Sequence, residues 1–505
     1  MASPEAQTPH FQWERSHHGT WERDIDECET FYKRTTRKED GCYPMTGSAS
    51  FITTPTDREE EHRVEDALRK AWVTLCYEQP NLRSYVKLDD EGGRYKRVYS
   101  TLQSEEEHQS WLNSSFKIIN TDVEPLQWFN DFATSFELST LFFIKSEKED
   151  RRHWTIFLRC DHTITDGVGI LLLIEQLFGH AAQAYEQGAK FSLPEWGNEY
   201  SNLSPCLRLA AQIPQSLSES HTKRFNEIQT RNGSIYTHPN LLGLPSSGDS
   251  ASPGKRHRTS LTIPQGTTKQ ILQRSKAIAL GVNVTHVFVS ALALALTEVQ
   301  PKKEEPYPAR FVYQSMVNLR PYCREPYNTP SHAAAPYHTI SAQALGIDTV
   351  VSGPPPTENG SEVKELSHIA SDVRDFFKPI RPTSPEDDTI AFAPLTFKAF
   401  TGPPDSDPHA VSNPPFCPVA LSSIGNVDSM VSDTHGVFKL TDVWAASEPI
   451  GAGVATFLET WDGKIQLSAT FDTQYHDAGY IEGFLGRILH CVYRGLDIKE
   501  SNNDE

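Results

Sequence analysis

Cys160-Asp161-His162-Thr163-Ile164-Thr165-Asp166-Gly167 stands where an extended run gives way to a helical one. Residues 153–160 alternate weakly and read as a strand, and residues 167–178 read as a helix. A histidine at a strand end can project into a cleft rather than into a core. Its pKa near neutrality suits it to accept a proton from a hydroxyl. Asp166 opens the helix, and Gly167 and Gly169 let the backbone bend tightly and pack closely. The same residues have a plainer reading. Asp166 serves equally as an N-cap, His162 equally as a hydrogen-bonded structural histidine, and H-x-x-x-D arises often by chance. Gly167-Val168-Gly169 is not a dinucleotide fingerprint, because the third glycine and the later acidic residue are absent.

The pattern around this segment predicts a mixed fold. A helix is expected over residues 58–78, with Val64, Ala67, Leu68, Ala71, Trp72 and Leu75 on one face. Thr56 or Asp57 is placed to cap its start, and Pro80 stops it. A strand is expected at 136–145. Residues 195–258 are rich in Ser, Pro, Asn and Gly, most of all at 243–254 (GLPSSGDSASPG). That composition divides the chain into an N-terminal lobe (1–242), a linker (243–258) and a C-terminal lobe (259–505). The second half opens with a strand at 257–263, a helix at 268–280, an apolar helix at 285–296 and a strand at 310–317. The Pro- and Gly-rich residues 324–361 read as a long surface excursion, and 379–415 are again Pro-rich. Between them a helix is expected over 362–377, with Val363, Leu366, Ile369, Ala370 and Val373 inward. Strands follow at 418–423, 437–444, 453–461 and 464–471, with Asp462-Gly463 as a hairpin turn. A closing helix over 477–493 turns Ile481, Phe484, Leu485, Ile488, Leu489 and Val492 inward. No internal repeat is visible. Strands mixed with helices imply an α/β or α+β fold.

Bulk properties set further bounds. A chain of 505 residues exceeds one ordinary core, so two lobes are expected. A formal charge of −19 argues against nucleic acid and anionic membrane as partners. The 8 cysteines are scattered without a C-x-x-C pair, so neither a zinc site nor a disulfide framework is expected, and no metal is assigned. The chain begins Met-Ala-Ser-Pro-Glu without an apolar run, and no later run was read as reaching transmembrane length. An intracellular, cytoplasmic protein is expected.

His162-Thr163-Ile164-Thr165-Asp166-Gly167 resembles the H-x-x-x-D-G motif of the CoA-dependent acyltransferase superfamily. That superfamily includes chloramphenicol acetyltransferase, plant BAHD acyltransferases, peptide-synthetase condensation domains and fungal trichothecene O-acetyltransferases. Further matches lie in the same order. Gly281-Val282-Asn283-Val284-Thr285 before an apolar helix looks like the opening of the second lobe. Val317-Asn318-Leu319-Arg320 resembles a strand end carrying a family arginine. Ser422-Ser423-Ile424-Gly425-Asn426-Val427 resembles the strand and turn that line the site from the second lobe. The helix at 58–78 with its Gln79-Pro80-Asn81-Leu82-Arg83 exit looks like the first-lobe helix. The resemblance spans residues 58–495 and feels closest to fungal secondary-metabolite O-acetyltransferases.

The resemblance implies two chloramphenicol-acetyltransferase-like lobes, each a mixed sheet with flanking helices, and an active-site tunnel between them. It implies transfer of an acyl group, by family default acetyl, from acyl-CoA to a hydroxyl of a terpenoid or polyketide. His162 would be the general base in a ternary complex without an acyl-enzyme. Ser422 or Ser423 would donate to the oxyanion. Asp166 would point away from substrate and pair with Arg320, supporting the His loop together with Gly167. Acyl-CoA is a co-substrate and no cofactor is bound permanently; a monomer is expected by analogy. The basic run Lys255-Arg256-His257-Arg258 is either a site for CoA phosphates or, more commonly for such clusters, a solvated linker. Two departures matter. Asp161 stands where chloramphenicol acetyltransferase and condensation domains often carry a second histidine, and the BAHD D-F-G-W-G signature is absent. Competing readings are a condensation-like cyclase or pericyclase, discriminated by CoA dependence, and a non-catalytic binding protein of the same fold. A serine hydrolase is disfavoured because no G-x-S-x-G elbow occurs.

Overall fold

The strand Trp154–Asp161 is buried on both faces over all but its last residue. That explains its weak alternation: a strand covered on both sides needs no polar face. It lies inside a six-stranded sheet in the computed structural model. This model describes residues 9–499 apart from 38–41, 54–57, 90–92, 147–152, 249–253, 353–359, 404–405 and 413–414. The helix-cap alternatives Thr56 and Asp57 therefore lie outside the described residues.

The six-stranded sheet runs Thr434–His435, Phe438–Ser447, Pro44–Thr53, Trp154–Asp161, Thr140–Ser146 and Phe116–Thr121. Its first two strands come from the second half of the chain. Phe438–Ser447 pairs antiparallel with Pro44–Thr53 from Phe438↔Thr53 to Ser447↔Met45. The helices Arg58–Glu78 and Gly167–Gln187 cover one face, burying Val64, Leu68, Trp72 and Leu75 against Ile170, Ile174 and Phe178. Gly47 permits this close approach, since a Cβ there would lie 2.9 Å from Ile170 and Ile174. The helix Gly167–Lys190, taken with its 3-10 extension, is long and apolar enough to span a bilayer by length and composition, contrary to the expectation above, but half of its apolar window is buried inside the protein.

The second half has its own four-stranded sheet: Val419–Asn426, Val454–Trp461, Lys464–Asp472 and Arg256–Ile263. Asp462 and Gly463 turn its central hairpin, both at positive φ. The helices Gln265–Ile278, Val284–Glu298, Gly360–Ile380 and Ala478–Gly495 bury Ile271, Val287, Leu292, Leu366, Val373, Ile481, Leu485 and Ile488 on it. The expected inward position of Val363 lies outside the described side chains. A small four-stranded sheet of Glu14–His17, Thr20–Asp24, Tyr95–Ser100 and Tyr85–Leu88 sits beside the first half.

Two expectations are corrected and one open reading is narrowed. The strand at 310–317 is broken into Tyr307–Tyr313, which pairs with Leu345–Val351, and Met316–Asn318, which pairs with His338–Ile340. The break falls where Gln314 and Ser315 turn to Ser341: Ser315 N donates to Ser341 Oγ at 3.1 Å and Ser341 N to Ser315 O at 2.8 Å. Within 324–361, residues 324–331 are largely exposed, but residues 332–351 are not a surface excursion. They supply two of those strands and bury Ala333, Ala334, Ala335 and Tyr337 almost completely. Pro336 sits within this buried run, while Pro326 and Pro330 before it are exposed. Finally, the run 255–258, left open above, is mostly built into the fold, with Lys255 exposed. Arg256–Ile263 is an edge strand, with Arg258 only 2% exposed above the Trp444 ring and donating to Gln466. Lys255 donates to Asp131 O, His257 faces Asp131, and Arg256 pairs with Asp472.

One buried charge cluster ties the N-terminal segment to this frame. The helix Glu27–Arg34 opens on a capping box, with Asp26 accepting from Glu29 N at 3.0 Å and Glu29 accepting from Asp26 N at 3.2 Å. Glu29 also takes both guanidinium arms of Arg23 at 2.7 Å and Arg97 Nε at 2.8 Å. Burial pushes the Glu29 carboxyl up, but the two arginines outweigh it and hold it below the usual range. Arg97 Nη2 then reaches Thr163 O at 2.5 Å, in the loop after Trp154–Asp161. Replacing Glu29 by Ala leaves two buried guanidinium groups without their anion. The Glu29→Ala variant is expected to lose about 3–5 kcal/mol of stability, read by denaturant unfolding.

Candidate active site

The loop from Asp161 to Asp166 is held on every side. His162 N donates to Tyr43 O at 2.8 Å, and Ile164 N to Asp161 O at 2.8 Å. The Asp161 carboxylate accepts from Thr163 N at 2.9 Å. Thr165 Oγ1 donates to Ala333 O at 3.0 Å, across to the second half. Where the loop enters the helix Gly167–Gln187, Asp166 accepts from Gly169 N at 2.9 Å. A side chain at Gly169 would meet Ala333 O at 2.4 Å and Arg320 Nη2 at 2.5 Å, so only glycine fits.

Asp166 therefore is an N-cap, and it is also an ion-pair partner. Arg320 Nη1 lies 2.6 Å from both carboxylate oxygens. Arg320 Nη2 donates to Ala335 O, and its own N donates to Asn318 Oδ1 at 3.1 Å. Both side chains are buried. Burial pushes the Asp166 carboxyl up, yet Arg320 and His338 overcome it and hold the group far below the carboxylate range. The pair joins the first-half loop to the end of the second-half strand Met316–Asn318.

His162 itself is 7% exposed. Its ring stacks on Tyr32, with centroids 3.8 Å apart and planes 8° from parallel. Tyr43 lies 5.8 Å away at 21°, and His338 5.8 Å away at 40°. Burial, then the neighbouring His338, brings the His162 imidazole down to about 3, against smaller opposing effects of nearby backbone and Asp166. The ring is thus neutral across the physiological range.

The structure brings His162, Asp166, Gly167 and Arg320 together. The two serines part company. Along Val419–Asn426, Val419 and Leu421 face the second-half core. The period of two sends Ser423 the same way, and its Oγ lies 2.8 Å from Thr285 Oγ1. Ser422 lies on the opposite face, opposite Phe457 of the neighbouring strand, and the register then shifts at Ile424, which packs against the first-half core and whose Cδ1 would sit 2.8 Å from a Cβ on Gly167. Neither serine hydroxyl hydrogen-bonds His162 among the described contacts. The basic run at 255–258 is engaged within the protein as described above: Arg256 pairs with Asp472, Arg258 bonds Gln466 and Lys255 bonds the Asp131 carbonyl.

Sequence reasoning missed Tyr32, Tyr43, His338 and Phe397. Tyr32 sits on the short helix Glu27–Arg34, outside the elements expected from periodicity. His338 lies in the stretch read as a surface excursion, and the buried Phe397 on a helix, Ala393–Thr401, in the second Pro-rich stretch. Asp26 followed by Glu29 is a capping-box signal that would have found the first helix. Nothing local marks His338.

No family model matches the chain. Among curated proteins it is similar to acetyltransferase pigO of Monascus ruber, 23% identical over 465 residues that make 91% of each chain. It is also similar to O-acetyltransferase pigM of Monascus ruber, 23% identical over 507 residues, covering 96% of this chain and 88% of that one. Among solved structures, a trichothecene 15-O-acetyltransferase from Fusarium sporotrichioides superimposes with a TM-score of 0.76 at 14% identity, over 98% of this chain and 100% of the other. The first condensation domain of the CDA synthetase superimposes with a TM-score of 0.61 at 13% identity, over 94% and 95%. The fold is therefore the chloramphenicol-acetyltransferase-like fold that these proteins share, with mixed sheets in both halves.

Asp166 supports a pH prediction. Its folded pKa is depressed, so its stabilisation is present above the unfolded value of about 4 and is lost as pH falls through the lower folded value. Asp166→Asn is expected to be less stable than wild type by about 3–5 kcal/mol at pH 7, because buried Arg320 loses its anion. The gap should narrow steadily below about pH 4 in urea titrations run at several pH values.

Proposed function

We propose that this chain is an acyltransferase of secondary metabolism that moves an acyl group, in the first place acetyl, from acyl-CoA to a hydroxyl of a terpenoid or polyketide. The observation that carries this reading is His162: a neutral, buried imidazole at a strand end, in a loop clamped by Asp166 and Arg320. The fold, and the likeness over nearly the whole length to proteins named as acetyltransferases, support it. We place the enzyme in the cytoplasm as a monomer, with no cofactor bound permanently.

The proposed reaction follows from the groups present. The neutral ring has one nitrogen without hydrogen and takes the proton of the acceptor hydroxyl as that oxygen attacks the thioester carbonyl. The tetrahedral oxyanion collapses, the C–S bond breaks, and the CoA thiolate takes the proton from His162. Products are the ester and free CoA. Holding both substrates at one base replaces a covalent acyl-enzyme. Ser422, on the face away from Thr285, is the serine we assign to the oxyanion; Ser423 keeps its partner Thr285. Asp166, Gly167 and Arg320 hold the loop and touch no substrate.

Purified protein incubated with acetyl-CoA and a panel of terpenoid and polyketide alcohols is expected to release free CoA only when an acceptor is present, with an acetylated product by mass. His162→Ala should lower that rate by about 10²–10⁴-fold. Ser422→Ala should lower kcat by about 10²-fold, and Ser423→Ala far less. Absence of any acyl product from folded protein with every CoA thioester would overturn the reading in favour of cyclisation or binding. The base must be neutral to act, so activity falls as pH drops through its pKa. Because that value is about 3, kcat/KM should show no inflection near the ordinary imidazole value of about 6.5. A pH-rate profile in a range where the fold persists checks this.

A further inference from the structure

We infer that His338, acting through the hydroxyl of Tyr32, is a positioning residue that fixes the plane of the His162 ring. The inference rests on the reading of His162 as the base. A catalytic imidazole needs its ring held, usually by a hydrogen bond to the nitrogen that does not react. His162 Nδ1 is buried and makes no hydrogen bond of ordinary geometry. The ring has only weak polar contacts with the backbone of His162 and Thr165, and the Tyr32 face lies against it, nearly parallel at 3.8 Å. A stacked phenol can slide, and it fixes its neighbour only if it is itself fixed.

The Tyr32 hydroxyl provides that. It lies 2.7 Å from His338 Nε2, with both side chains over nine-tenths buried. On the other side of the His338 ring, Nδ1 faces Asp166 Oδ2 at 3.4 Å, an electrostatic contact too long for a strong hydrogen bond. Phe397 closes the remaining side, edge-on to His338 at 5.8 Å and tilted against Tyr32 at 6.4 Å. His338 comes from the strand His338–Ile340, where it pairs with Asn318, two residues before Arg320. One two-stranded ribbon thus carries both Arg320 and His338. The Asp166–Arg320 pair reaches His162 along two routes: through the loop backbone, and through His338 and Tyr32 onto the ring face. The ionisable groups around the ring are Tyr32, Tyr43, His338, Asp166 and, beyond it, Arg320.

The arrangement puts the ring under the control of both halves of the chain. Tyr32 is on an N-terminal helix, His338 on the second-half ribbon and His162 on the first-half sheet. A relative shift of the ribbon would tilt Tyr32 and move the base with it.

Tyr32→Phe keeps the ring and removes only the hydroxyl; His338→Gln keeps polar reach at similar volume. Both are compared as full-length proteins with wild type and the double variant, with melting temperatures recorded. Each single variant is expected to lower kcat for acceptor-dependent CoA release by about 5- to 50-fold, with KM for acetyl-CoA unchanged. The two substitutions break one bond, so the double variant should be no worse than the poorer single. A second readout is independent of turnover. In wild type the stacked Tyr32 ring shifts the His162 ring protons upfield in the NMR spectrum, assigned by their loss in His162→Ala. In Tyr32→Phe and His338→Gln those signals should move toward unstacked values. Unchanged kcat in both single variants, losses that multiply in the double variant, or ring-proton shifts that stay at wild-type values would each overturn the inference. If wild type itself turns over no CoA thioester, the acyl-transfer reading fails, and the ring-proton shifts still decide whether His338 holds the ring.

Discussion

The buried pair of Asp166 and Arg320 is the interaction on which the rest of the site depends. A carboxylate taken from water is stable only against a partner of opposite charge in good geometry. Arg320 supplies that with one nitrogen at 2.6 Å from both oxygens. Its other nitrogen bonds the carbonyl of Ala335, so the guanidinium is spent within the protein and not left for a ligand. The pair is therefore structural in its chemistry, and its consequence is positional. It fastens the His162 loop of the first half to the ribbon of the second.

Other contacts reinforce this joint rather than duplicate it. Thr165 bonds Ala333 O, and Gly169 is small enough for that chain segment to approach. Arg97 grips Thr163 O from the small N-terminal sheet and is itself neutralised by Glu29. The strand Phe438–Ser447 crosses from the second half to complete the first-half sheet. The halves are thus joined by backbone pairing, by a buried ion pair and by side chains, with His162 at the meeting point. An imidazole so buried is kept neutral by desolvation, the state in which it can accept a proton.

Much of the fold was legible because periodicity survives burial when one face differs from the other. The helices Arg58–Glu78, Val284–Glu298 and Ala478–Gly495 and the hairpin at Asp462-Gly463 fall where the pattern put them, within a few residues. Legibility failed where proline was taken as a mark of surface. Residues 333–337 are small or aromatic and pack in the interior, with Pro336 O accepting from Cys28. It failed again at 255–258, where clustered positive charge suggested solvent. There the acidic partners lie more than a hundred residues away in sequence, at Asp131 and Asp472. A charge pattern read along the chain cannot show a partner that only folding brings near.

The sequence by itself determined the local chemistry of the site: a histidine at a strand end, an aspartate able to cap the next helix, and glycines that permit tight packing. These are properties of neighbouring residues, and spacing encodes them. Tertiary structure alone decided which residues surround the histidine. Tyr32 stands 130 positions before His162 and His338 176 positions after it. Only the pairing of His338–Ile340 with Met316–Asn318 and the docking of Glu27–Arg34 bring the three rings together. It also gave the two serines different surroundings, since adjacent residues on a strand face opposite ways and only Ser423 has its hydroxyl beside Thr285.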